Sequence, residues 1–545
     1  MRKQISSQSG FATLIALIMV AMLSLIGLAA LSTSDDDANI AGNQLQEMRA
    51  FYAAEAGLEQ AAAILEAEYD STGAPPTVMP SGTDEVNGCQ VAFSCATDGV
   101  AGQTMLTHGT LVGLHALVNS FSLTSVAVNA ADRAKVEMAQ TFETALVPIF
   151  QFAIFYGNDL EIAPGPAMNL MGRVHTNGDL WVQAGDVLNM DSYMTAAGSI
   201  LHGRKGPGGV SAGDVLIKDA NGNYVSMKEG AGWLDANDAH WYDSSAARWQ
   251  GRVQDSTHGQ AALNVPLTQD AAGDPHKLIE PASGNPDSYE TKADLKFIDR
   301  RAYQMVDTLW VDVTDSMVST GVITFTNNQF TDQREAKNVD LMELDIGKMY
   351  DEGFDPSGGV IYYSDRSLGP DFPAMRVSNA DELDDGLTIA SENPVYTLGD
   401  FNSVNKKPAA ILADAVTFLS SAWDDLMGGS SVDDREAVNT TVNASYLTGN
   451  IETTVSNYNG GFENLPRFLE KWGGKDFNWS GSAVNLWSSV QATGNWNGTY
   501  YTPPNRNWQY DSDLDDPANI PPETPVIRVF QRTGWRQEYV GYSGE

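Results

Sequence analysis

The stretch that decides the fold lies near the N-terminus, where residues 11–31 read FATLIALIMVAMLSLIGLAAL. None of these 21 residues carries a charge. As a helix rising about 1.5 Å per residue, the stretch would extend roughly 31 Å, the thickness of the hydrocarbon core of a bilayer. Arg2 and Lys3 precede it, and three aspartates follow it at positions 35–37. This charge order favours a cytoplasmic N-terminus, with the rest of the chain outside the cytoplasmic membrane.

Three interpretations fit this span. A cleaved secretory signal needs a site of small residues, which Gly27-Leu28-Ala29 can supply. A plain signal anchor needs only the apolar length. The third interpretation includes the flanks, because a short, polar and basic leader ends at Gly10 and the apolar stretch begins abruptly at Phe11.

The segment after the span continues the helical pattern. Apolar residues recur at steps of three and four from Phe51 to Leu65, and alanine is dense throughout. The sequence therefore predicts one helix over residues 11–68. Gly27, Gly42 and Gly57 each weaken that helix by about 1 kcal/mol and are predicted bends.

A short leader ending in Gly10-Phe11, an apolar run, IAGN at residues 40–43 and RAFYAAEAG at residues 49–57 together resemble the N-terminal domain of PilX-like type IV minor pilins. The resemblance covers residues 1–68. It implies that prepilin peptidase cleaves between Gly10 and Phe11 and that the new Phe11 amine is methylated. Major pilins carry glutamate at the fifth mature position, where this chain has Ile15. The resemblance therefore favours a low-copy minor or tip subunit of a pilus, or of a type II secretion pseudopilus.

The implied partners are other pilins, which would pack against the apolar helix in the membrane and later in the filament. The residues predicted to make this packing are Leu14, Ile15, Leu17, Ile18 and Leu25. The implied location is the cytoplasmic membrane, with the head outside it, and later a pilus or the cell surface.

Residues 69–155 are predicted to form a small pilin-like β region. This region holds the two cysteines of the chain, Cys89 and Cys95. Because the exported chain meets an oxidising environment, a small disulfide loop is the leading prediction. A zinc site would need further ligands, and free thiols remain the other alternative.

The rest of the chain is predicted to be a large β-rich head. Short apolar strands separated by polar turns occupy residues 156–205 and 298–430, and they favour a β-solenoid, with a β-sandwich as the alternative. Residues 206–297 are polar and are predicted to be an insertion, and residues 431–545 form the aromatic and Asn-rich end of the head. The predicted fold class is α+β, mainly β, behind a long N-terminal helix.

The charge composition and the missing motifs argue against two classes of function, nucleic-acid binding and catalysis. The 545 residues include 32 Lys and Arg against 70 Asp and Glu, a formal net charge of −38. This balance argues against nucleic-acid binding, which needs basic residues at phosphates. No H-E-x-x-H or P-loop motif is present. We therefore expect no enzyme and no cofactor, the alternative being an exported β-solenoid enzyme that hydrolyses or cleaves polysaccharide.

Two segments of the head are candidate binding sites. Asp219, Asn221 and Asn223 place oxygen ligands at alternate positions, as a calcium loop does, although a hairpin turn at Asn221-Gly222 explains the same pattern. The aromatic stretch from Trp472 to Tyr510 would either present stacking platforms for a glycan or other surface ligand, or close the end of the solenoid.

Overall fold

The structure, a computed structural model, describes residues 9–72, 76–99, 101–129, 135–206, 208–269, 273, 275–367, 371–454, 458–496 and 499–539. The chain divides into two compact units. The first combines Met1–Gly102, Val118–Ala145 and Phe530–Glu545, and the second combines Gln103–Leu117 and Leu146–Val529. Most of the predicted leader, residues 1–8, lies outside the described residues.

The first unit begins with α1, one uninterrupted helix over Ser9–Thr72. It is slightly longer than the predicted helix over residues 11–68. Gly27, Gly42 and Gly57 all lie inside it without ending it. The high helix propensity of the many alanines offsets the cost of three isolated glycines.

A six-stranded sheet, most of whose residues belong to the first unit, has the order β1-β2-β4-β5-β37, with β3 paired to β4. Antiparallel pairing joins β1 to β2 and β2 to β4. Buried apolar side chains alternate with exposed small or polar ones along β2, as expected for a sheet with one buried face. The strands are β1 (Ser81–Val86), β2 (Cys89–Thr97), β3 (Gly102–Met105), β4 (His115–Asn129), β5 (Lys135–Pro148) and β37 (Val526–Tyr539).

The last strand of the chain is a neighbour of β5 in this sheet. Residues 149–525 therefore lie, along the chain, between two adjacent strands of one sheet. The predicted head includes all of residues 431–545, whereas Phe530–Glu545 belong to the first unit.

The second unit is built from short strands that pair mainly in parallel. They are β6 (Phe152–Tyr156), β7 (Leu160–Ile162), β8 (Met168–Leu170), β9 (Arg173–Thr176), β10 (Leu180–Val182), β11 (Val187–Met190), β12 (Met194–Ala196), β13 (Ile200–His202), β14 (Asp214–Lys218), β15 (Tyr224–Ser226), β16 (Lys228–Glu229), β17 (Gly232–Trp233), β18 (Val253–Gln254), β19 (Leu295–Ile298), β20 (Arg301–Val306), β21 (Leu309–Asp312), β22 (Ile323–Asp332), β23 (Lys337–Asp345), β24 (Val360–Ser364), β25 (Phe372–Ser378), β26 (Ala380–Glu382), β27 (Leu387–Ser391), β28 (Val395–Leu398), β29 (Phe401–Val404), β30 (Ala409–Ala413), β31 (Val416–Leu419), β32 (Thr440–Asn443), β33 (Ser445–Thr448), β34 (Asp476–Gly481), β35 (Ala483–Asn485) and β36 (Asn505–Tyr510). Four short helices accompany them, α2 (Trp241–Trp249), α3 (Tyr289–Lys292), α4 (Thr314–Thr320) and α5 (Ile346–Asp351).

The longest sheet of the second unit grows in both directions from β6. On one side β6 is followed by β9, β12 and β18, and on the other side by β35, β33, β30, β27, β24 and β19. The strands between these along the chain form further parallel ladders, such as β7-β10-β13 and β25-β28-β31. The chain thus returns repeatedly to the same sheets, and the β-solenoid stays a prediction.

Part of the head repeats every 20 residues. Asp159 accepts a hydrogen bond from the backbone N–H of Asp179, and Asp179 accepts one from the N–H of Ser199, at 2.8 and 2.7 Å and 20 residues apart in each case. A side chain at Gly198 would collide with the Asp179 carboxylate. The segments NDLEI, GDLWV and GSILH at residues 158–162, 178–182 and 198–202 carry this repeat. The sequence analysis did not identify it.

The region 206–297, predicted to be an insertion, contributes to these ladders. Strand β14 pairs in parallel with β11, and β18 pairs in parallel with β12. The core of the second unit is apolar and continuous, and it includes buried residues from β7 to β36. The predicted class, α+β and mainly β behind a long N-terminal helix, is confirmed.

The predicted disulfide is wrong. Cys89 and Cys95 are free, buried thiols at the two ends of one strand segment in β2. Six strand residues span about 20 Å, whereas a disulfide needs Cα atoms within roughly 7 Å of each other. Burial raises the pKa of both thiols, that of Cys95 to about 11, which keeps them protonated and unreactive.

Alkylation tests this geometry. The chain is purified without reductant and denatured in iodoacetamide. We expect mass spectrometry to find both Cys89 and Cys95 alkylated, because neither thiol can reach the other in the folded sheet. A control sample that is reduced first should gain the same mass. Alkylation only after reduction would contradict the position of both residues in β2.

Candidate functional site

The most exposed apolar surface of the described chain is the first third of α1. The side chains of Phe11, Leu17 and Leu25 are 69%, 72% and 67% exposed. The helix has the length and composition to cross a membrane, and its apolar stretch is not buried within the described chain. All residues predicted to pack against partner helices lie on this exposed part, at positions 14, 15, 17, 18 and 25.

Burial of this exposed apolar surface of α1 by lipid or by another protein would be favourable. Removing a large aliphatic side chain from water is worth roughly 1.5–3 kcal/mol. The backbone of α1 satisfies its own hydrogen bonds, so the same surface is compatible with lipid or with other helices. Gly10 and Phe11 lie at the start of the helix, where a methyl group added to Gly10 would meet nothing within 4 Å.

The second half of α1 is buried against the sheet of the first unit. Its inward residues are small at the closest point and larger toward the end: Ala50, Ala53, Ala54, Leu58, Ala61, Ala62, Leu65 and Tyr69. At Gly57 the helix approaches the sheet so closely that an added methyl group would lie 2.3 Å from Ser125 Oγ and 2.6 Å from Val91 Cγ1. Gly57 is therefore a packing residue.

Strand β37 also fastens α1. Both guanidinium Nη atoms of Arg532 donate to the Glu59 carboxylate, and the hydrogen bonds hold the pKa of Glu59 below its usual range. The Phe530 ring packs edge-on against Tyr69, with ring centroids 5.8 Å apart. Local sequence patterns do not predict this contact, because positions 59 and 532 lie far apart along the chain.

The calcium candidates form a turn. Asp219 Oδ1 accepts the backbone N–H of Asn221 at 2.9 Å and that of Asn223 at 2.8 Å, between β14 and β15. Gly222 has φ +88°, as such a turn requires. Among the described residues no group of three or more His, Cys, Asp or Glu side chains is placed to hold a metal ion.

The head sequence contains one motif that the sequence analysis overlooked. Residues 209–213 read GVSAG, the G-x-S-x-G spacing of a hydrolase nucleophile. That motif acts at a sharp turn from a strand into a helix. Here residues 209–213 lead directly into strand β14, so the structural context of a nucleophile elbow is missing.

The aromatic stretch is mostly core. Trp472, Phe477 and Trp487 are at most 1% exposed, and they pack among other rings of the second unit. Trp496 differs because it is only half-buried. It lines a pocket of about 380 Å³ together with Arg204, Tyr458, Glu463, Asn464, Tyr501 and Arg506.

The described chain thus combines an exposed apolar helix end with a buried half that packs on an antiparallel sheet. Residues 9–59 match the family model described as PilX N-terminal. The N-terminal segment is therefore similar to that of PilX-like type IV minor pilins, and a large β-rich head follows it.

A comparison with curated proteins finds no match. Among solved structures, the competence-associated pilin ComZ from Thermus thermophilus matches with 11% sequence identity and a TM-score of 0.24, covering 90% of this chain and 98% of that chain.

Two glycine substitutions in α1 test the close packing. Gly57→Ala should destabilise the first unit by about 1–3 kcal/mol, because the added methyl group overpacks the contact with Val91 and Ser125. Gly42→Ala is the matched control, since nothing lies within 4 Å of that position. It should leave stability unchanged or raise it by up to about 1 kcal/mol.

Hydrogen exchange of the amides at residues 50–69 measures the effect in the full chain. Faster exchange is expected for Gly57→Ala only. Equal exchange in both variants would contradict the contact.

Proposed function

We propose that this protein is a minor subunit of a type IV pilus or a related pseudopilus. Residues 11–31 hold it in the cytoplasmic membrane before assembly, and the same residues pack against other pilin helices afterwards. The observation that carries the proposal is the PilX N-terminal match at residues 9–59, which falls on a helix whose apolar part is exposed.

The proposed use of one surface in two environments follows from its chemistry. The exposed part of α1 carries no charge between Phe11 and Leu31. Its apolar side chains can therefore be buried in lipid or against other apolar helices. Prepilin peptidase and neighbouring pilins are therefore the proposed partners of this segment.

A minor rather than a repeating role is supported by Ile15. The resemblance to pilins implies that a glutamate at this position pairs with the N-terminal amine of a neighbouring subunit. Isoleucine cannot form that ion pair. A subunit that needs no such pair suits a low-copy or tip position, where it carries its large head outward for filament assembly or adhesion.

The proposal contains no catalytic step. The calcium candidates form a turn, and the GVSAG segment lacks its strand-to-helix context. The net charge of −38 disfavours nucleic acid as the ligand of the head.

Mass spectrometry of the mature N-terminus tests this proposal. We expect the chain from membranes or filaments to begin with methylated Phe11. Gly10→Val should keep the leader, because the peptidase would no longer find glycine before the cleaved bond. Gly27→Val, inside the same apolar helix, should be processed normally.

A mature chain that begins at Ala30 would contradict the proposal. That product would show that residues 1–29 are a cleaved secretory signal and that the mature protein has no apolar helix for assembly.

A further inference from the structure

The pocket beside Trp496 combines aromatic walls with unpaired positive charge. It encloses about 380 Å³ in the second unit, within the range of small-molecule sites. Its lining comes from segments far apart in sequence, around residues 163, 204, 463 and 506. The fold, and not a local loop, therefore builds it.

The aromatic walls are held in place. The Tyr458 hydroxyl donates to Glu161 Oε1 at 2.7 Å, and Trp496 Nε1 donates to the Tyr501 hydroxyl at 2.9 Å. The rings of Tyr458 and Trp496 meet edge to face, with centroids 5.9 Å apart. Both rings are only half-buried, so part of each faces the pocket.

Two arginines line the same pocket without a carboxylate partner. Among the described residues, neither Arg204 nor Arg506 has an acidic oxygen within ion-pair distance, and the Nε of each is buried with no hydrogen-bond partner. Arg204 lies over the Tyr458 ring, 4.9 Å from its centroid, and Arg506 makes one long hydrogen bond of 3.4 Å to the Glu463 carbonyl. The chain has 70 acidic residues, so the absence of a carboxylate partner beside these two arginines, within the described chain, is notable.

The one carboxyl group in the pocket does not neutralise them. Glu463 is 5% exposed, and its Oε1 accepts the backbone N–H of Ala163 at 2.7 Å. Burial raises the pKa of Glu463 to about 7, against the opposing effect of Arg506. Glu463 is therefore partly uncharged near neutral pH and offsets the charge of the two arginines only in part.

We propose that this pocket binds an acidic sugar residue, either free or within a glycan. An aromatic side chain packs on the apolar face of a sugar ring, and a guanidinium group binds a carboxylate through paired hydrogen bonds. Half-exposed rings beside two arginines without carboxylate partners match a ligand that carries both features. The proposal deepens the suggested adhesive role of the head, but it concerns binding by the single chain and does not require assembly.

Binding measurements on the full detergent-solubilised chain test the proposal. Calorimetry and saturation-transfer NMR are carried out with glucuronate, galacturonate and N-acetylneuraminate, with glucose and galactose as neutral counterparts and with sulfate as a simple anion. We expect at least one acidic sugar to bind at least tenfold more tightly than its neutral counterpart and than sulfate. An oligosaccharide that contains the preferred sugar shows whether the free residue or the glycan is the better ligand.

Variants locate the site. Arg204→Gln and Arg506→Gln should each weaken binding of the preferred acidic sugar at least tenfold. Arg301→Gln is the matched control, because Arg301 is an exposed arginine of the same unit that pairs with Asp312 at 3.1 Å. Thermal unfolding of each variant confirms that the head is intact.

Three results would overturn the proposal: no binding of any acidic sugar, equal binding of acidic and neutral sugars, or sulfate binding as tightly as the sugars. The comparison between sugars needs only the wild-type chain, so it decides the matter even if a variant fails to fold. Failure here would leave the N-terminal processing result untouched, which separates this inference from the assembly proposal.

Discussion

The close approach of α1 to its sheet at Gly57 is the constraint on which the first unit depends. Because residue 57 has no side chain, the alanines on either side of it reach the sheet, and the helix from residue 50 to residue 69 becomes part of the core. This packing fixes one half of α1. The apolar residues of the other half are exposed, because no other described part of the chain packs against them. One continuous helix thus forms part of a structural core at one end and exposes an apolar surface at the other.

The connectivity of the sheet explains how the chain accommodates so large a head. Strands β5 and β37 are neighbours, yet residues 149–525 separate them along the chain. Sheet pairing depends on which strands meet in space and not on the length of chain between them. The head can therefore hold its own apolar core and its own repeat, while the final strand returns to close the first unit through Phe530 and Arg532.

Local patterns in the sequence predicted the helix, its exposed apolar part and the β-rich class, because periodicity and apolar length are properties of neighbouring residues. They failed where distant residues decide the outcome. An oxidising location suggested a disulfide, but the register of β2 holds Cys89 and Cys95 too far apart. The contact between Glu59 and Arg532 and the pocket of Arg204, Trp496 and Arg506 join segments whose pairing no local pattern records. The 20-residue repeat is difficult to recognise for another reason, because only a few residues are the same in successive 20-residue units.

Photo-crosslinking in cells tests the central claim most directly, namely that the exposed part of α1 is the surface through which this chain joins other pilins. A photoreactive phenylalanine analogue replaces Leu17, and in a control chain it replaces Leu426, an 88% exposed residue of the head. The account predicts that Leu17 yields covalent adducts between this chain and another pilin in the filament fraction, whereas Leu426 does not. Absence of any pilin adduct from Leu17, or the same adducts from both positions, would contradict it.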